Sequence, residues 1–196
     1  MQATSARALR EQRRHQRRQA RRANPQLQFL RGFLKHPVMV GSIIPSSNRL
    51  INRMLAPVDW DRAQVFVEYG PGVGTFTRPI LDRLGTDATL IAIDTNPEFT
   101  EYLKRDIDDP RLLPVTGSAA DVETILRDRG FDHADYVLSG LPFSTLPSGV
   151  GEAIGAATSR VIRPGGAFLV YQFSPKVRDF IAPVFERIER GFEWVN

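Results

Sequence analysis

The chain has 196 residues, a formal net charge of +4 and no cysteine. This length suits one α/β domain with a short appendage and is sufficient for a buried core. The lack of cysteine excludes disulfides, thiolate zinc sites and cysteine nucleophiles. The three histidines, at positions 15, 36 and 133, show no ligand spacing, so we expect no metal site. No apolar run approaches the ~20 residues that a transmembrane helix needs.

The charge is distributed unevenly along the chain. Residues 1–35 contain ten arginines and lysines but a single acid, Glu11, so they carry +9 while the remaining residues carry −5. A basic arm on an acidic domain indicates a polyanionic partner, which is either a nucleic acid or an anionic membrane surface.

The first 36 residues are predicted to form a basic amphipathic helical arm. Residues 5–22 lack Gly and Pro and favour helix, and Asn24-Pro25 interrupts it. In residues 26–35, Leu27, Leu30 and Leu34 fall on one helical face. We expect this stripe to insert into a lipid interface. The alternative is that the stripe docks on the domain and the arm is a solvated tail.

Residues 37–196 are predicted to form the main domain. After a turn rich in Gly, Pro and Ser and a helix from about Ser46 to Leu55, short apolar strands alternate with helices. This rhythm predicts a Rossmann-like, mostly parallel sheet with helices on both faces. The predicted strands are Gln64–Tyr69, Thr89–Ile93, Leu112–Val115, Ala134–Ser139 and Ala167–Phe173; the predicted helices lie near 74–84, 97–106, 120–128, 149–162 and 175–182. For residues 184–195 we favour a strand.

A glycine-rich loop follows the first predicted strand of the sheet. Gly70-Pro71-Gly72-Val73-Gly74 lies between a strand and a helix, and Asp94 ends the next strand. Glycines let the backbone turn sharply and approach a ligand, and an acid about 20 residues further on binds ribose hydroxyls in such folds. The spacing therefore indicates a nucleotide-like ligand.

Glu68, directly before this loop, narrows the choice of ligand. A carboxylate there would repel a pyrophosphate but suits a cationic cofactor with an amino-acid tail. The run from Glu68 to Gly74 resembles motif I of the class I S-adenosylmethionine-dependent methyltransferases. This resemblance implies S-adenosylmethionine as cofactor and S-adenosylhomocysteine as product. It makes Glu68, Tyr69, Gly70 and Gly72 cofactor contacts, and it makes Asp94 the ribose-binding acid.

Two further loops match the same family. Gly117–Asp121 resembles the loop that contacts the adenine, which makes Ser118 and Ala119 candidate cofactor contacts, although the family often has Asp at position 118. The run Ser139-Gly140-Leu141-Pro142-Phe143 resembles the Asn-Leu-Pro-Tyr/Phe motif of amino-directed methyltransferases. It implies that Ser139, with the carbonyls of Gly140 and Leu141, orients the target amine, and that Ser139 also borders the cofactor. Ser in place of Asn is a departure, and a plain strand-end turn is the alternative.

Aromatic side chains beside these motifs are candidates to contact a cation. Tyr69 and Phe143 could flank the substrate ammonium through cation–π contacts. Phe143 is equally compatible with a place in the core.

Residues 29–37, 41–47 and 139–143 together resemble the bacterial phospholipid N-methyltransferases, relatives of the rRNA adenine dimethylases. That family methylates phosphatidylethanolamine stepwise to phosphatidylcholine. The resemblance adds Ile43 and Pro45 as candidate cofactor contacts. It implies a phospholipid substrate, an anionic membrane surface as partner of the arm, and a cytoplasmic enzyme held peripherally at the inner face of the cell membrane.

Two other functions remain open from the sequence. The first is an rRNA or other nucleic-acid adenine N-methyltransferase; Ser139 in place of Asn and the lack of those enzymes' helical C-terminal domain argue against it. Residues 1–35 also contain no Tyr or Trp for stacking bases, which makes nucleic acid the less favoured partner. The second is a non-catalytic membrane- or RNA-binding module, against which the intact motif I argues.

Overall fold

The computed structural model describes residues 44–171 and 177–191. The predicted arm, residues 1–36, lies outside these ranges, and the contacts reported below fall within one compact unit, Arg49–Asn196. The helices are α1 Ile44–Leu55, α2 Thr77–Leu81, α3 Pro97–Asp106, α4 Val122–Arg127, α5 Val150–Val161 and α6 Val177–Ile181. The strands are β1 Val65–Tyr69, β2 Thr89–Asp94, β3 Leu112–Thr116, β4 Ala134–Ser139 and β5 Ile162–Val170.

The five strands form one parallel sheet in the order β3-β2-β1-β4-β5. The chain winds outward from β1 through β2 to β3 and then returns to place β4 on the other side of β1. In such a sheet, a crevice for ligands opens at the carboxyl ends of the two strands where the winding reverses. The fold therefore directs attention to the ends of β1 and β4.

Helices cover both faces of this sheet, as predicted. The second half of α1 packs with α2 and α3 on one face, and α4, α5 and α6 pack on the other. Because both faces are covered, the central strands are apolar almost throughout, and every residue of β1 and of β4 is buried. The Rossmann-like fold class expected from the sequence is confirmed.

Two small residues let α6 approach α5 closely. A Cβ added to Gly151 would lie 3.0 Å from the ring of Phe180, and one added to Gly155 would lie 2.7 Å from the Phe180 carbonyl oxygen. The Phe180 ring then stacks on Phe143, with the ring centroids 6.0 Å apart. This packing supports the turn that follows β4.

The structure departs from the sequence prediction near the end of the chain. β5 begins at Ile162, five residues earlier than expected, and its register with β4 shifts between Ala134 and Tyr136. The extra residues of β5 include Gly165 at φ +83°, and they form an irregular bulge. The strand that we favoured for residues 184–195 is wrong for residues 184–191, which have no regular secondary structure. Phe185 in this segment instead stacks on Phe168.

A buried carboxylate joins three strands at the amino end of the sheet. Asp135 accepts hydrogen bonds from the backbone amides of Gln64 and Val65, each at 2.7 Å, and it pairs with Arg163 from the β5 bulge. Burial raises the pKa of Asp135, but the two amides and Arg163 outweigh it and hold the pKa below its usual value. The ionised carboxylate therefore stabilises the fold.

We expect Asp135→Ala to lower the free energy of unfolding by about 2–4 kcal/mol, because it leaves buried amides and a guanidinium without their acceptor. Asp135→Asn keeps an acceptor oxygen and should cost less. Since the pKa is lowered, the loss should shrink as the pH falls through the range where the carboxylate protonates. Urea unfolding at pH 7 and pH 3 measures this, with exposed Asp132→Ala as the control. Equal stability of the two alanine variants would contradict the prediction.

Candidate active site

Four loops leave the carboxyl edge of the sheet side by side. They follow β3, β2, β1 and β4, which are neighbours in that order. Adjacent strands lie about 4.8 Å apart, so the loops span about 14 Å. An elongated ligand laid along this edge would contact the loop after β3 at one end and the loop after β4 at the other.

The loop after β1 has a backbone conformation that only glycine adopts readily. Gly70 lies at φ +65° and Gly72 at φ +54°. A Cβ on Gly70 would meet the Leu141 side chain at 2.9 Å, whereas a Cβ on Gly72 would meet nothing within 4 Å. The turn therefore packs against the β4 loop at Gly70 and presents an open surface at Gly72.

Glu68 is a buried carboxylate directly before this turn, with 2 % of its surface exposed. Its Oε2 accepts a hydrogen bond from the Thr77 hydroxyl at 2.7 Å. Burial raises the pKa of Glu68 to about 7; the Thr77 hydrogen bond opposes the rise, and nearby Asp94 adds to it. Among the described residues, no cation pairs with this carboxylate.

Asp94, at the end of β2, lies on the other side of the turn. Its Oδ1 accepts from the Asn96 amide at 2.9 Å and its Oδ2 from the Gly72 amide at 3.4 Å. Partial burial raises the pKa of Asp94, and these two amides oppose the rise. A half-exposed carboxylate held in this way has lone pairs left to accept ribose hydroxyls, the role predicted from the sequence.

The loop after β3 begins with a backbone hydrogen bond from Gly117 to the Asp94 carbonyl at 3.0 Å. Ser118 follows, and its Oγ accepts from the Ala120 amide at 3.2 Å, which starts a short 3₁₀ turn, Ala119–Asp121. Ala119 is buried, and Ser118 is half-buried. The structure thus brings Ser118 and Ala119 to the same edge as Glu68 and Asp94.

The turn after β4 has one open acceptor. The Oγ of buried Ser139 accepts from the Leu141 amide at 3.2 Å, and the Ser139 carbonyl accepts from the Tyr171 amide at 2.9 Å. The Leu141 carbonyl accepts from the Phe143 amide at 3.0 Å. In the part of the chain that the structure describes, no donor reaches the carbonyl of exposed Gly140. The Gly140 carbonyl is therefore left without a described donor at this edge of the sheet.

The structure places the rings of Tyr69 and Phe143 in the core, where neither is exposed for a cation–π contact; for Phe143 this is the alternative that the sequence left open. The Tyr69 side chain is fully buried on the sheet face opposite Glu68, and its hydroxyl lies 3.1 Å from the Thr158 hydroxyl. Phe143 is 2 % exposed and stacks on Phe180. The Tyr69 ring lies opposite Glu68 because successive residues of a strand face opposite sides of the sheet. Tyr69 contributes to the site through its backbone, whose carbonyl accepts from the Gly140 amide.

Two predicted cofactor contacts remain predictions. Ile43 lies outside the described residues, and Pro45 lies in the first turn of α1, where no described contact tests its role. Within residues 44–171 and 177–191, no group of three or more metal-binding side chains comes together.

The sequence analysis missed Thr77 as the hydrogen-bond partner of Glu68. The only sequence signal for this role is a hydroxyl residue early in the helix that follows the glycine turn.

Comparison with known proteins agrees with this arrangement. Residues 66–166 match the family model described as a methyltransferase domain. The chain is 33% identical over 167 residues to the ornithine lipid N-methyltransferase of Singulisphaera acidiphila, across 84% of this chain and 87% of that protein. The chain belongs to the methyltransferase domain family.

Solved structures show the same fold at low identity. An O-methyltransferase family protein from Burkholderia thailandensis superposes with a TM-score of 0.51 at 17% identity, over 66% of this chain and 39% of that one. A methyltransferase from the Haloferax volcanii complex with the activator Trm112 also reaches 0.51, at 20% identity, over 65% of this chain and 53% of that one. The chain spans about half the length, or less, of these solved proteins.

The chain is an S-adenosylmethionine-dependent methyltransferase, and the described residues fit that cofactor. The Glu68 carboxylate is buried and pairs with no cation among the described residues, so it suits a positively charged ligand. The Asp94 carboxylate suits ribose hydroxyls. The open face at Gly72 lets a ligand lie against the backbone between these two acids.

We expect Gly70→Ala to abolish measurable cofactor binding and to destabilise the fold by about 1–3 kcal/mol, because a Cβ at positive φ is strained and also clashes with Leu141. Gly85→Ala is the matched control, since Gly85 lacks a positive φ and a Cβ there meets nothing within 4 Å. Calorimetric titration and thermal unfolding measure the two effects. Cofactor affinity in Gly70→Ala equal to that of the control would contradict the role of this contact.

Proposed function

We propose that this methyltransferase transfers methyl groups to the primary amine of a membrane lipid, converting phosphatidylethanolamine stepwise toward phosphatidylcholine. The observation that carries the proposal is the similarity, over most of both chains, to a protein named as a lipid N-methyltransferase. The motif from Ser139 to Phe143, which resembles that of the phospholipid N-methyltransferases, supports the same substrate class.

The open carbonyl after β4 suits an amine acceptor. A primary or secondary amine has N–H groups to donate and needs its remaining lone pair for the reaction, so a carbonyl is an appropriate partner in the first two methyl transfers. The neutral dimethylamine of the third transfer has no N–H, so the surrounding side chains alone must position it. The Ser139 hydroxyl accepts a hydrogen bond from the Leu141 amide, and this bond spans the exposed residue Gly140 and shapes the turn. The protein thus orients the nitrogen without consuming its lone pair.

Methylation of an amine also requires that the nitrogen be neutral, because an ammonium has no lone pair. When bound, the cofactor supplies an electrophilic methyl carbon on a sulfonium. The contribution of the chain is to position the amine and to exclude water, and positioning alone is worth several orders of magnitude in rate. We name no general base in this site, because no described histidine or carboxylate has been placed at the β4 turn.

The basic arm completes the proposal. Its arginines would bind the phosphates of an anionic leaflet, at about 1 kcal/mol per basic residue near the surface, and its apolar stripe would insert between head groups. Among the residues that the structure describes, no helix has the length and apolar character needed to cross a bilayer. We therefore propose peripheral attachment at the inner face of the cell membrane.

A second acceptor has specific support. The curated relative carries the name ornithine lipid N-methyltransferase, and an ornithine lipid also presents a primary amine. The two lipids differ in the anionic group near that amine, which is a phosphodiester in phosphatidylethanolamine and a carboxylate in an ornithine lipid. Nucleic acid is the third acceptor to test, since a basic arm serves RNA equally well.

The acceptor is identified by supplying the full chain with methyl-labelled S-adenosylmethionine and three substrates in parallel. These are anionic vesicles with phosphatidylethanolamine, the same vesicles with ornithine lipid, and rRNA. We expect label in the phosphatidylethanolamine products, with mono-, di- and trimethylated lipids appearing in sequence. Label confined to ornithine lipid would replace the proposed substrate, and label confined to rRNA would overturn the lipid class.

We expect Ser139→Ala to lower the turnover number about tenfold, because it removes a buried hydrogen bond of about 1.4 kcal/mol that shapes the turn. The cofactor dissociation constant should change much less, since Ser139 acts on the acceptor side. Ser159→Ala, on α5, is the control because its hydroxyl bonds only within its own helix. Turnover and cofactor affinity that fall together, or neither of them changing, would contradict the assignment.

A further inference from the structure

Thr77 is the one described side chain that hydrogen-bonds the Glu68 carboxylate. It begins α2, nine residues after Glu68, and its side chain is fully buried. A hydroxyl in the first turn of a helix often accepts from a backbone amide instead. Here the Thr77 hydroxyl donates to Glu68 at 2.7 Å, which is the normal length of a strong O–H···O bond.

The surroundings of Glu68 otherwise oppose its ionisation. Glu68, on β1, lies in register with Ala92 on β2 and Leu138 on β4, which are both apolar and buried. The charged group that acts on it from β2 is Asp94, which has the same sign. In the described residues of α2 and β4, no cation faces it; the hydroxyl of Thr77 is the stabilising partner.

We propose that Thr77 is a positioning residue for cofactor binding, whose hydroxyl orients the Glu68 carboxylate and keeps it ionised for the cationic end of S-adenosylmethionine. A charge-assisted hydrogen bond is about twice as strong as a neutral one, so Thr77 favours the carboxylate over the carboxylic acid. This role concerns the cofactor alone and does not depend on which lipid or nucleic acid accepts the methyl group.

The first test uses the cofactor-free protein. Thr77→Val removes the hydroxyl at nearly constant volume, and Thr77→Ser keeps it. Glu68, with a pKa of about 7, is protonated at pH 5 and ionised at pH 8. Urea midpoints should therefore fall further for Thr77→Val at pH 8 than at pH 5, and Thr77→Ser should follow the wild type. An equal loss at both pH values would overturn the proposal, because it would mean that Thr77 only packs.

The second test measures the affinity for S-adenosylmethionine by calorimetry between pH 6 and pH 9, without any acceptor. Thr77→Val, which loses the charged hydrogen bond, should bind S-adenosylmethionine about tenfold more weakly than the wild type at pH 8, since 1.4 kcal/mol corresponds to a factor of ten. The pH at which binding is half lost should also move upward, because Glu68 protonates more readily without the hydroxyl.

A double-mutant cycle shows whether Thr77 acts through Glu68. In a Glu68→Gln background, which lacks the charge, Thr77→Val should weaken binding by much less than tenfold. An undiminished effect there would overturn the proposal. So would failure of both Thr77→Val and Thr77→Ala to fold, since the hydroxyl would then serve the fold and not the carboxylate. A lipid assay that fails while these binding results hold would refute the proposed acceptor and leave the role of Thr77 intact.

Discussion

The site depends on the direct contact between the ends of β1 and β4. The Gly140 amide donates to the Tyr69 carbonyl at 3.0 Å, and the Leu141 side chain occupies the space that a Cβ on Gly70 would need. The glycine turn after β1 and the turn after β4, which we propose holds the methyl acceptor, are therefore parts of one packed surface. Because protein interiors transmit displacements with little compression, a shift of either turn moves the other. Methyl transfer needs this coupling, since donor and acceptor must meet within a few tenths of an ångström.

The two acids beside the glycine turn show how binding competes with stability. Glu68 and Asp94 repel each other across the turn, and burial raises the pKa of Glu68 to about 7. The stability of the free protein therefore falls as the pH rises from the ordinary glutamate pKa of about 4.5 to about 7, where the buried group ionises. A cationic ligand would relieve both costs at once. The two carboxylates thus lower the stability of the free protein and strengthen the binding of a cation, a combination that is typical of sites that select for charge.

The sequence predicted the fold and the edge of the sheet where the site lies, because strand alternation and glycine spacing are local patterns. It placed Glu68, Asp94 and Ser139 at the ends of neighbouring strands, and Ser118 in the loop after β3, for that reason. Other features depend on three-dimensional packing that no local pattern encodes. The burial of the Tyr69 ring follows from the face on which a strand residue lies, and its bond to Thr158 joins residues 89 positions apart. The β5 bulge, likewise, carries Arg163, which pairs with Asp135, a residue 28 positions away.

The sheet separates stability from function along the strand direction. At its amino end, Asp135 is fully matched by two amides and a guanidinium, which lowers its pKa. At its carboxyl end, Glu68 is buried with a single hydroxyl donor, which leaves its pKa raised. Both are buried acids, one on β1 and the other on the neighbouring β4, so the difference between their pKa values lies in how many donors each receives. A carboxylate with every lone pair satisfied can only support the fold, whereas one left short of partners retains the capacity to bind a cation.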